Sequence, residues 1–257
     1  NFIRKNRVLA CSLGKWPPTI TTNPLGIPYF YAMRFKDVVG HGAVKQKLIQ
    51  AAKNGRVPHA QLFLGNEGSG NLALALAYAQ YLLCADPGPE DSCGNCSACK
   101  KMAQLSHPDL HLAFPFGPKG PTDTSAQYIP EFRDFVQKMP YGNLSDWQQF
   151  LSTDKKQLTI NSATCQQVIQ EVQQKPYEGG LQFMIMWYPE RITRGMANRL
   201  LKTLEEPPRK TVFMLVAERE EQLLPTVVSR LQVISLPKIA DFDMLDMLSS
   251  RFEPPLE

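Results

Sequence analysis

A strand, a glycine-rich turn and a helix follow one another early in the chain, and this unit constrains the fold more than any other feature. Gln61–Gly65 is a short apolar run that ends in glycine, which is typical of a buried strand. Residues 71–83 are rich in alanine and leucine, so they predict a helix that is apolar on nearly all sides and buried. Residues 65–72 lie between the two, in the position of a P-loop, where backbone N–H groups and a helix N-terminus bind phosphates.

This glycine turn keeps the residues that shape its backbone but not the side chains that handle a nucleotide. Gly65, Gly68 and Gly70 are present. Asn71 stands where a P-loop has its lysine, and Leu72 stands where Ser or Thr would bind Mg²⁺. Leucine has no oxygen to offer a metal, and loss of a charge-assisted lysine contact costs about 1.5–3 kcal/mol. We therefore predict a retained turn without ATP hydrolysis, and no ATP as a cofactor.

A second strand supports the same prediction. A P-loop ATPase ends its next key strand in acidic residues that hold Mg²⁺ and orient water. Here Leu181–Trp187 ends in the aromatic residue Trp187, and Tyr188 and Pro189 follow it. We expect Glu190 to be the only acid near this strand end, displaced behind the proline.

The rest of the pattern alternates helices with uniformly apolar strands, which predicts a mostly parallel sheet covered by helices on both faces. Beyond the unit described above, the predicted elements are helices at 42–54, 162–174, 193–206 and 241–251 and strands at 181–187, 211–217 and 231–236. Residues 104–158 have a weaker pattern: 114–127 has the composition of a loop, and 130–138 and 144–151 that of short helices.

A group of cysteines follows the predicted helix at 71–83. Its members are Cys84, Cys93, Cys96 and Cys99. Four thiolates at this spacing favour a closed, structural Zn²⁺ site that fixes the helix end at Cys84 to the loop after it. Free cysteines in an irregular loop are the alternative. Cys11 and Cys165 stand apart, and we expect His107 and His111 to be turn and strand residues, not ligands.

Charge and hydropathy exclude some classes of protein. The chain has 28 basic and 24 acidic residues, a net charge of +4, which is too small for a dedicated nucleic-acid binder. Any DNA contact should therefore be shared with partners. No stretch approaches the roughly 20 apolar residues that cross a bilayer, so we expect no membrane association.

Several motifs in order resemble one protein family. They are Arg34-Phe35-x-Asp37-Val38-Val39-Gly40, Pro58-His59-Ala60-x-Leu62-Phe63-x-Gly65, the four cysteines, Leu200-Leu201-Lys202-Thr203-Leu204-Glu205-Glu206-Pro207-Pro208 and Leu224-Pro225-Thr226-x-x-Ser229-Arg230. In this order, over residues 33 to about 240, the sequence resembles the gamma/tau and delta-prime group of bacterial DNA polymerase III clamp-loader subunits. The resemblance implies an AAA+ P-loop-type α/β fold.

The resemblance also implies a domain organisation. Residues 33–238 would form the AAA+ domain, with a zinc module at 84–99 and an insertion at 114–157 that is longer than expected. Residues 239–257 would begin a helical lid domain. Because further helices would follow in this group, we expect the sequence to be a fragment or a truncated gene. Residues 1–32 lack the apolar core of a secretory signal, and we expect a poorly ordered extension.

Function follows from the family pattern at the glycine turn. Gamma/tau chains keep the lysine, the hydroxyl and the acidic pair, whereas delta-prime chains have usually lost them, so this sequence falls on the delta-prime side. The resemblance implies a cytoplasmic, non-catalytic subunit that joins gamma/tau and delta and acts on the sliding clamp and primed DNA. Ser229 and Arg230 would present an arginine to the ATP of a neighbouring gamma/tau subunit, although Leu231 stands where the family has cysteine.

Two other hypotheses are open at this point. The chain could be an ATP-hydrolysing, gamma/tau-like subunit that uses unusual residues, such as Glu190 in place of the missing acids. It could also be a zinc-stabilised interaction module unrelated to replication. Binding of a fluorescent ATP analogue would support the ATP-hydrolysing subunit. Failure to co-purify with clamp-loader subunits would support the unrelated module.

Overall fold

A computed structural model describes residues 34–120, 122–153, 157–192 and 194–251. The expected extension at 1–32 and the last six residues lie outside the described residues. Among the described residues, no helix combines the length and the apolar character that crossing a bilayer requires.

Among the described residues, five strands form one parallel sheet. They are β1 (Ala60–Gly65), β2 (Leu110–Ala113), β3 (Gln182–Trp187), β4 (Thr211–Ala217) and β5 (Gln232–Leu236). Their order across the sheet is β2-β3-β4-β1-β5, and every neighbouring pair is parallel. The carboxyl ends of β1, β3 and β4 therefore share one edge, where loops can build a site.

Nine α-helices surround this sheet in the described residues. They are α1 (Gly42–Lys53), α2 (Asn71–Leu83), α3 (Ser97–Ala103), α4 (Ile129–Lys138), α5 (Leu144–Phe150), α6 (Ser162–Val172), α7 (Arg194–Glu205), α8 (Pro225–Val228) and α9 (Asp241–Arg251). Short 3₁₀ turns lie at Phe35–Asp37, Ser125–Tyr128, Pro189–Arg191 and Glu220–Gln222.

Two apolar clusters lie on the opposite faces of the sheet, because side chains alternate along each strand. On β1, Phe63 belongs to the cluster with α2, α4 and α5, and Leu62 to the cluster with α6 and α7. Helix α2 is buried at every position from Leu72 to Tyr81, as its composition predicts. The predicted P-loop-type α/β fold with helices on both faces is thus confirmed.

The segment between β2 and α6 folds onto the first of these clusters. Phe114 stacks on Phe132 with ring centroids 3.9 Å apart, and Trp147 meets both rings edge-on. Trp147 Nε1 donates to the carbonyl of Pro115 at 2.7 Å. Helix α5 begins with a reciprocal cap, in which Asn143 and Asp146 bond each other's backbone N–H. This part of the expected insertion is therefore integrated into the core.

Candidate functional site at the glycine loop

The glycine loop connects the end of β1 to the start of α2, as predicted. Gly68 and Gly70 both have φ of +78°, in the left-handed region that favours glycine. Gly70 is the N-cap residue of α2. His41 Nε2 donates to the carbonyl of Ser69 at 2.7 Å, which ties the loop to the start of α1. The loop has the backbone shape of a phosphate-binding turn at a helix N-terminus.

Asn71, at the lysine position, is bonded to the protein itself. Its Nδ2 donates to the carbonyl of Gly65 at 3.2 Å and to that of Ala217 at 3.1 Å. Its Oδ1 accepts from the N–H of Leu72 at 2.9 Å. The side chain of Leu72 is buried in the core. Asn71 thus links the carboxyl ends of β1 and β4, and Leu72 packs the interior.

The end of β3 carries a tyrosine in a strained conformation. Tyr188 has φ of +54°, which is uncommon for a residue with a side chain. Its hydroxyl donates to the carboxylate of Glu218 and accepts from the N–H of Leu144 at 3.0 Å. Glu190 Oε1 accepts from the N–H groups of Glu218 and Arg219 at 2.8 and 3.1 Å. Burial raises the pKa of both carboxyl groups, Glu190 and Glu218.

A cavity of about 230 Å³ opens between the glycine loop and the ends of β3 and β4. Three carboxylates line it, those of Glu67, Glu190 and Glu218, together with Arg191 and Arg219. The prediction that Glu190 is the only nearby acid is therefore wrong. The prediction considered only the residues that follow β3 in sequence. In the folded chain Glu67 of the glycine loop and Glu218 after β4 lie at the same edge of the sheet.

Two further residues at this site come from the turn before α5 and were missed by sequence reasoning. The ring of Tyr141 lies against Gly70, where a Cβ would approach Cε1 of the tyrosine to 2.5 Å. The Tyr141 hydroxyl accepts from the N–H of Val39 at 2.8 Å. Asn143 Nδ2 donates to the carboxylate of Glu67. These contacts join residues about 70 to 100 positions apart in sequence, so no local pattern could have shown them.

The four predicted cysteine ligands are brought together. The Sγ atoms of Cys84, Cys93, Cys96 and Cys99 lie within 4.8 Å of one another. The Cys93–Cys99 and Cys84–Cys96 Sγ pairs are 3.9 and 4.0 Å apart. A tetrahedron with metal–sulfur bonds of about 2.3 Å has sulfur–sulfur edges of about 3.8 Å. The cluster is compatible with a zinc site.

Backbone N–H groups favour the thiolate of Cys93, whereas burial raises the pKa of the Cys84 and Cys99 thiols. Cys93 Sγ accepts from the N–H groups of Asn95 and Cys96 at 3.4 and 3.3 Å, and these bonds lower the pKa of its thiol. The two nearby histidines pair with acids instead: His107 and His111 lie 3.2 Å from the carboxylates of Glu178 and Glu171. Among the described residues, the group that could hold a metal ion is therefore these four sulfurs.

Ser229 and Arg230 lie together after α8, and both are exposed. Arg230 Nη2 is 2.5 Å from the Glu205 carboxylate, and Nη1 donates to the carbonyl of Thr226 at 2.6 Å. Ser229 Oγ donates to the same carbonyl at 3.2 Å. Both residues precede β5, so they stand at the amino edge of the sheet, opposite the glycine loop.

That placement separates Arg230 from the chain's own glycine loop. The register of β5 against β1 sets Leu236 beside Gly65. From Gln232 to Leu236 the strand rises by about 3.3 Å per residue, roughly 13 Å in all, and Arg230 lies two residues before the strand begins. Arg230 therefore lies at the opposite end of β5 from the chain's own glycine loop, with its guanidinium paired to Glu205.

Comparison with known proteins places the chain in a family. Residues 40–240 match the family described as "DNA polymerase III, delta subunit". "DNA polymerase III subunit delta'" of Bacillus subtilis is 29% identical over 191 residues, 74% of this chain and 46% of the relative. The Escherichia coli protein of that name is 29% identical over 185 residues, 72% of this chain and 44% of the relative. "DNA polymerase III subunit tau" of Bacillus subtilis is 26% identical over 210 residues, 82% of this chain and 30% of the relative.

The chain thus spans less than half the length of these relatives. The family match covers the sheet, the glycine loop, the cysteine cluster and Arg230 together. This chain belongs to the DNA polymerase III delta subunit family.

Proposed function

We propose that this chain is a non-catalytic, delta-prime-type subunit of a bacterial clamp loader. It would work in the cytoplasm with gamma/tau and delta subunits and help to load the sliding clamp onto primed DNA. Its zinc module at 84–99 would be structural, and its AAA+ domain would extend from 33 to 238 with the lid beginning at 239. The observation that carries this proposal is an exposed Arg230 on a chain whose own glycine loop has no cation for a phosphate.

The bonding of the glycine loop supports the non-catalytic part. At the lysine position Asn71 uses its Nδ2 group for two backbone carbonyls. Leu72, at the position of the Mg²⁺-binding hydroxyl, offers the metal no oxygen, and residues 65–72 contain no lysine or arginine to pair with a phosphate.

The position of Arg230 supports the second part. A guanidinium supplied by a neighbouring subunit neutralises charge that develops on a transferred phosphoryl group, and such residues are worth roughly 10³–10⁵ in rate. Arg230 is exposed at the edge of the sheet remote from its own loop, as an arginine acting in trans requires. Ser229 bonds the same Thr226 carbonyl and would help to orient it.

The test is reconstitution of the full chain with gamma/tau and delta. DNA-dependent ATPase is measured for wild type, Arg230→Ala and Arg230→Lys. We expect the alanine variant to remove the turnover of the one ATP site that this subunit completes. The lysine variant should restore little of it, because lysine lacks the planar guanidinium fork. Arg209→Ala is the matched control, an exposed arginine at the same sheet edge before β4. Unchanged ATPase and clamp loading in Arg230→Ala would refute the proposal.

An ATP-binding, gamma/tau-like function is the second candidate, and the intact glycine backbone of the loop favours it. It requires Mg²⁺·ATP to bind the isolated chain. Equilibrium titration with a fluorescent ATP analogue decides the matter: micromolar affinity that a change at Gly70 abolishes would establish this candidate.

A further inference from the structure

We infer that the α4–α5 segment, residues 129–150, closes the glycine loop and takes the place of a nucleotide there. The segment reaches the loop through the turn between its two helices, which carries Tyr141 and Asn143. The inference concerns the chain's own loop and is independent of any role for Arg230.

Tyr141 covers the N-terminus of α2. Its ring packs against Gly70, the N-cap residue of that helix, with no room for a Cβ between them. A phosphate bound by this turn would need the helix N-terminus open to it. The Tyr141 hydroxyl also accepts from the N–H of Val39, a backbone donor outside the sheet and helices. One side chain thus blocks the loop and satisfies a neighbouring donor.

The start of α5 covers the other side of the loop. Asn143 is 9% exposed, and its amide donates to Glu67 in the middle of the glycine loop. The next residue, Leu144, donates its N–H to the Tyr188 hydroxyl, which in turn donates to Glu218. The helix start therefore bonds both the loop and the ends of β3 and β4.

The segment is held in this position by the core. Phe132 and Phe135 are at most 1% exposed. Both lie against Trp187 of β3, with ring centroids 5.5 and 5.7 Å apart. Moving the turn away from the loop would expose these rings to water, which is unfavourable in proportion to their area. The contact with the loop is therefore part of the folded domain.

A closed loop and a loop that only lacks the lysine and the hydroxyl predict different results when these two side chains are restored. If side-chain loss alone prevents nucleotide binding, restoring both side chains should restore binding. If the segment also closes the loop, restoring both side chains does not restore nucleotide binding unless Tyr141 and Asn143 are also replaced by alanine.

Four forms of the full chain test this difference: wild type, Asn71→Lys/Leu72→Thr, Tyr141→Ala/Asn143→Ala, and all four changes combined. Each is confirmed as folded by circular dichroism and titrated with a fluorescent ATP analogue and Mg²⁺. We expect the combined form to bind at least tenfold more tightly than Asn71→Lys/Leu72→Thr. A combined form that binds no more tightly would overturn the inference. Binding by wild type would instead refute the proposed nucleotide-free function, so the two failures are distinguishable.

Hydrogen exchange gives a second test that needs no nucleotide. In Tyr141→Ala/Asn143→Ala, the amides of residues 65–72 should exchange at least tenfold faster than in wild type. Gln149→Ala, an exposed change on α5, is the matched control and should leave them unchanged. Tyr141→Phe is the milder variant: it keeps the ring and should speed exchange chiefly at Val39. Unchanged exchange across the loop and at Val39 would also overturn the inference.

Discussion

Replacing Asn71 with alanine should destabilise the whole domain, although this position serves nucleotide chemistry in working P-loops. In this chain Nδ2 of Asn71 bonds the carbonyls of Gly65 and Ala217, which end two adjacent strands. Alanine removes both bonds. It also removes the acceptor for the N–H of Leu72 in the first turn of α2.

The size of the effect follows from the two donated bonds. Each half-buried hydrogen bond contributes about 0.5–1.5 kcal/mol, so the free energy of unfolding should fall by about 2 kcal/mol. For a domain of this length, each kcal/mol lowers Tm by about 2–4 °C. The expected loss in Tm is therefore roughly 4–8 °C, measured by differential scanning calorimetry.

Two control variants separate this explanation from a general loop effect. Asn66→Ala makes the same chemical change at an exposed position of the loop and should alter stability by less than about 0.5 kcal/mol. Asn71→Asp keeps the acceptor for Leu72 but sets a carboxylate beside two carbonyl oxygens, so it should be no more stable than the alanine variant. An Asn71→Ala protein that melts within about 1 °C of wild type would refute the reasoning.

Three further predictions concern the cysteine cluster, the hydrogen bond from Trp147 of α5 to Pro115, which we call the α5 anchor, and Glu190. Purified wild type should hold one equivalent of zinc by elemental analysis, and Cys99→Ser should lose it while Cys165→Ser keeps it; equal zinc in both variants would contradict a four-thiolate site. Trp147→Phe leaves the carbonyl of Pro115 without its indole donor and should lower the free energy of unfolding by about 1–3 kcal/mol in urea; an unchanged midpoint would contradict the anchor. Burial raises the pKa of Glu190 in the folded state above its pKa in the unfolded chain. As pH rises above the unfolded-state pKa, ionisation of Glu190 therefore lowers the free energy of unfolding. The gain in Tm from Glu190→Gln should therefore be larger at pH 8 than at pH 5, and a gain that does not grow with pH would contradict it.

The sequence predicted the sheet and most helices because their patterns are local. The predicted strand at Thr211–Ala217 and helix at Asp241–Arg251 have the bounds found in the structure. For strand β2 only His111 was expected to be a strand residue, without bounds for the element, and helix α3 was not predicted. β2 has only four residues, and α3 lies inside the cysteine-rich loop, where four thiols at close spacing obscure a helical pattern. The cysteine set itself was predictable, because its ligands are close in sequence.

The closing contacts could not be predicted from the sequence, for a different physical reason. Tyr141 and Asn143 carry common side chains in a turn, and nothing in their local sequence distinguishes them from surface residues. Their partners Val39, Gly70 and Glu67 lie on other elements. Only the packing of two buried aromatic helices against β3 brings the turn to the loop. Sequence reasoning can therefore detect a departure from a motif more readily than long-range contacts of this kind.

The acids at the ends of β3 and β4 are hydrogen-bonded within the protein, which bears on whether they could bind magnesium. A magnesium site needs carboxylate oxygens that are free to coordinate the ion. In this chain one oxygen of Glu190 accepts two backbone N–H groups, and its other oxygen is buried with no hydrogen-bond partner among the described residues. One oxygen of Glu218 accepts from Tyr188. Burial raises the pKa of both groups, so the site disfavours the charged forms that a metal would require. These bonds join the end of β3 to the residues that follow β4.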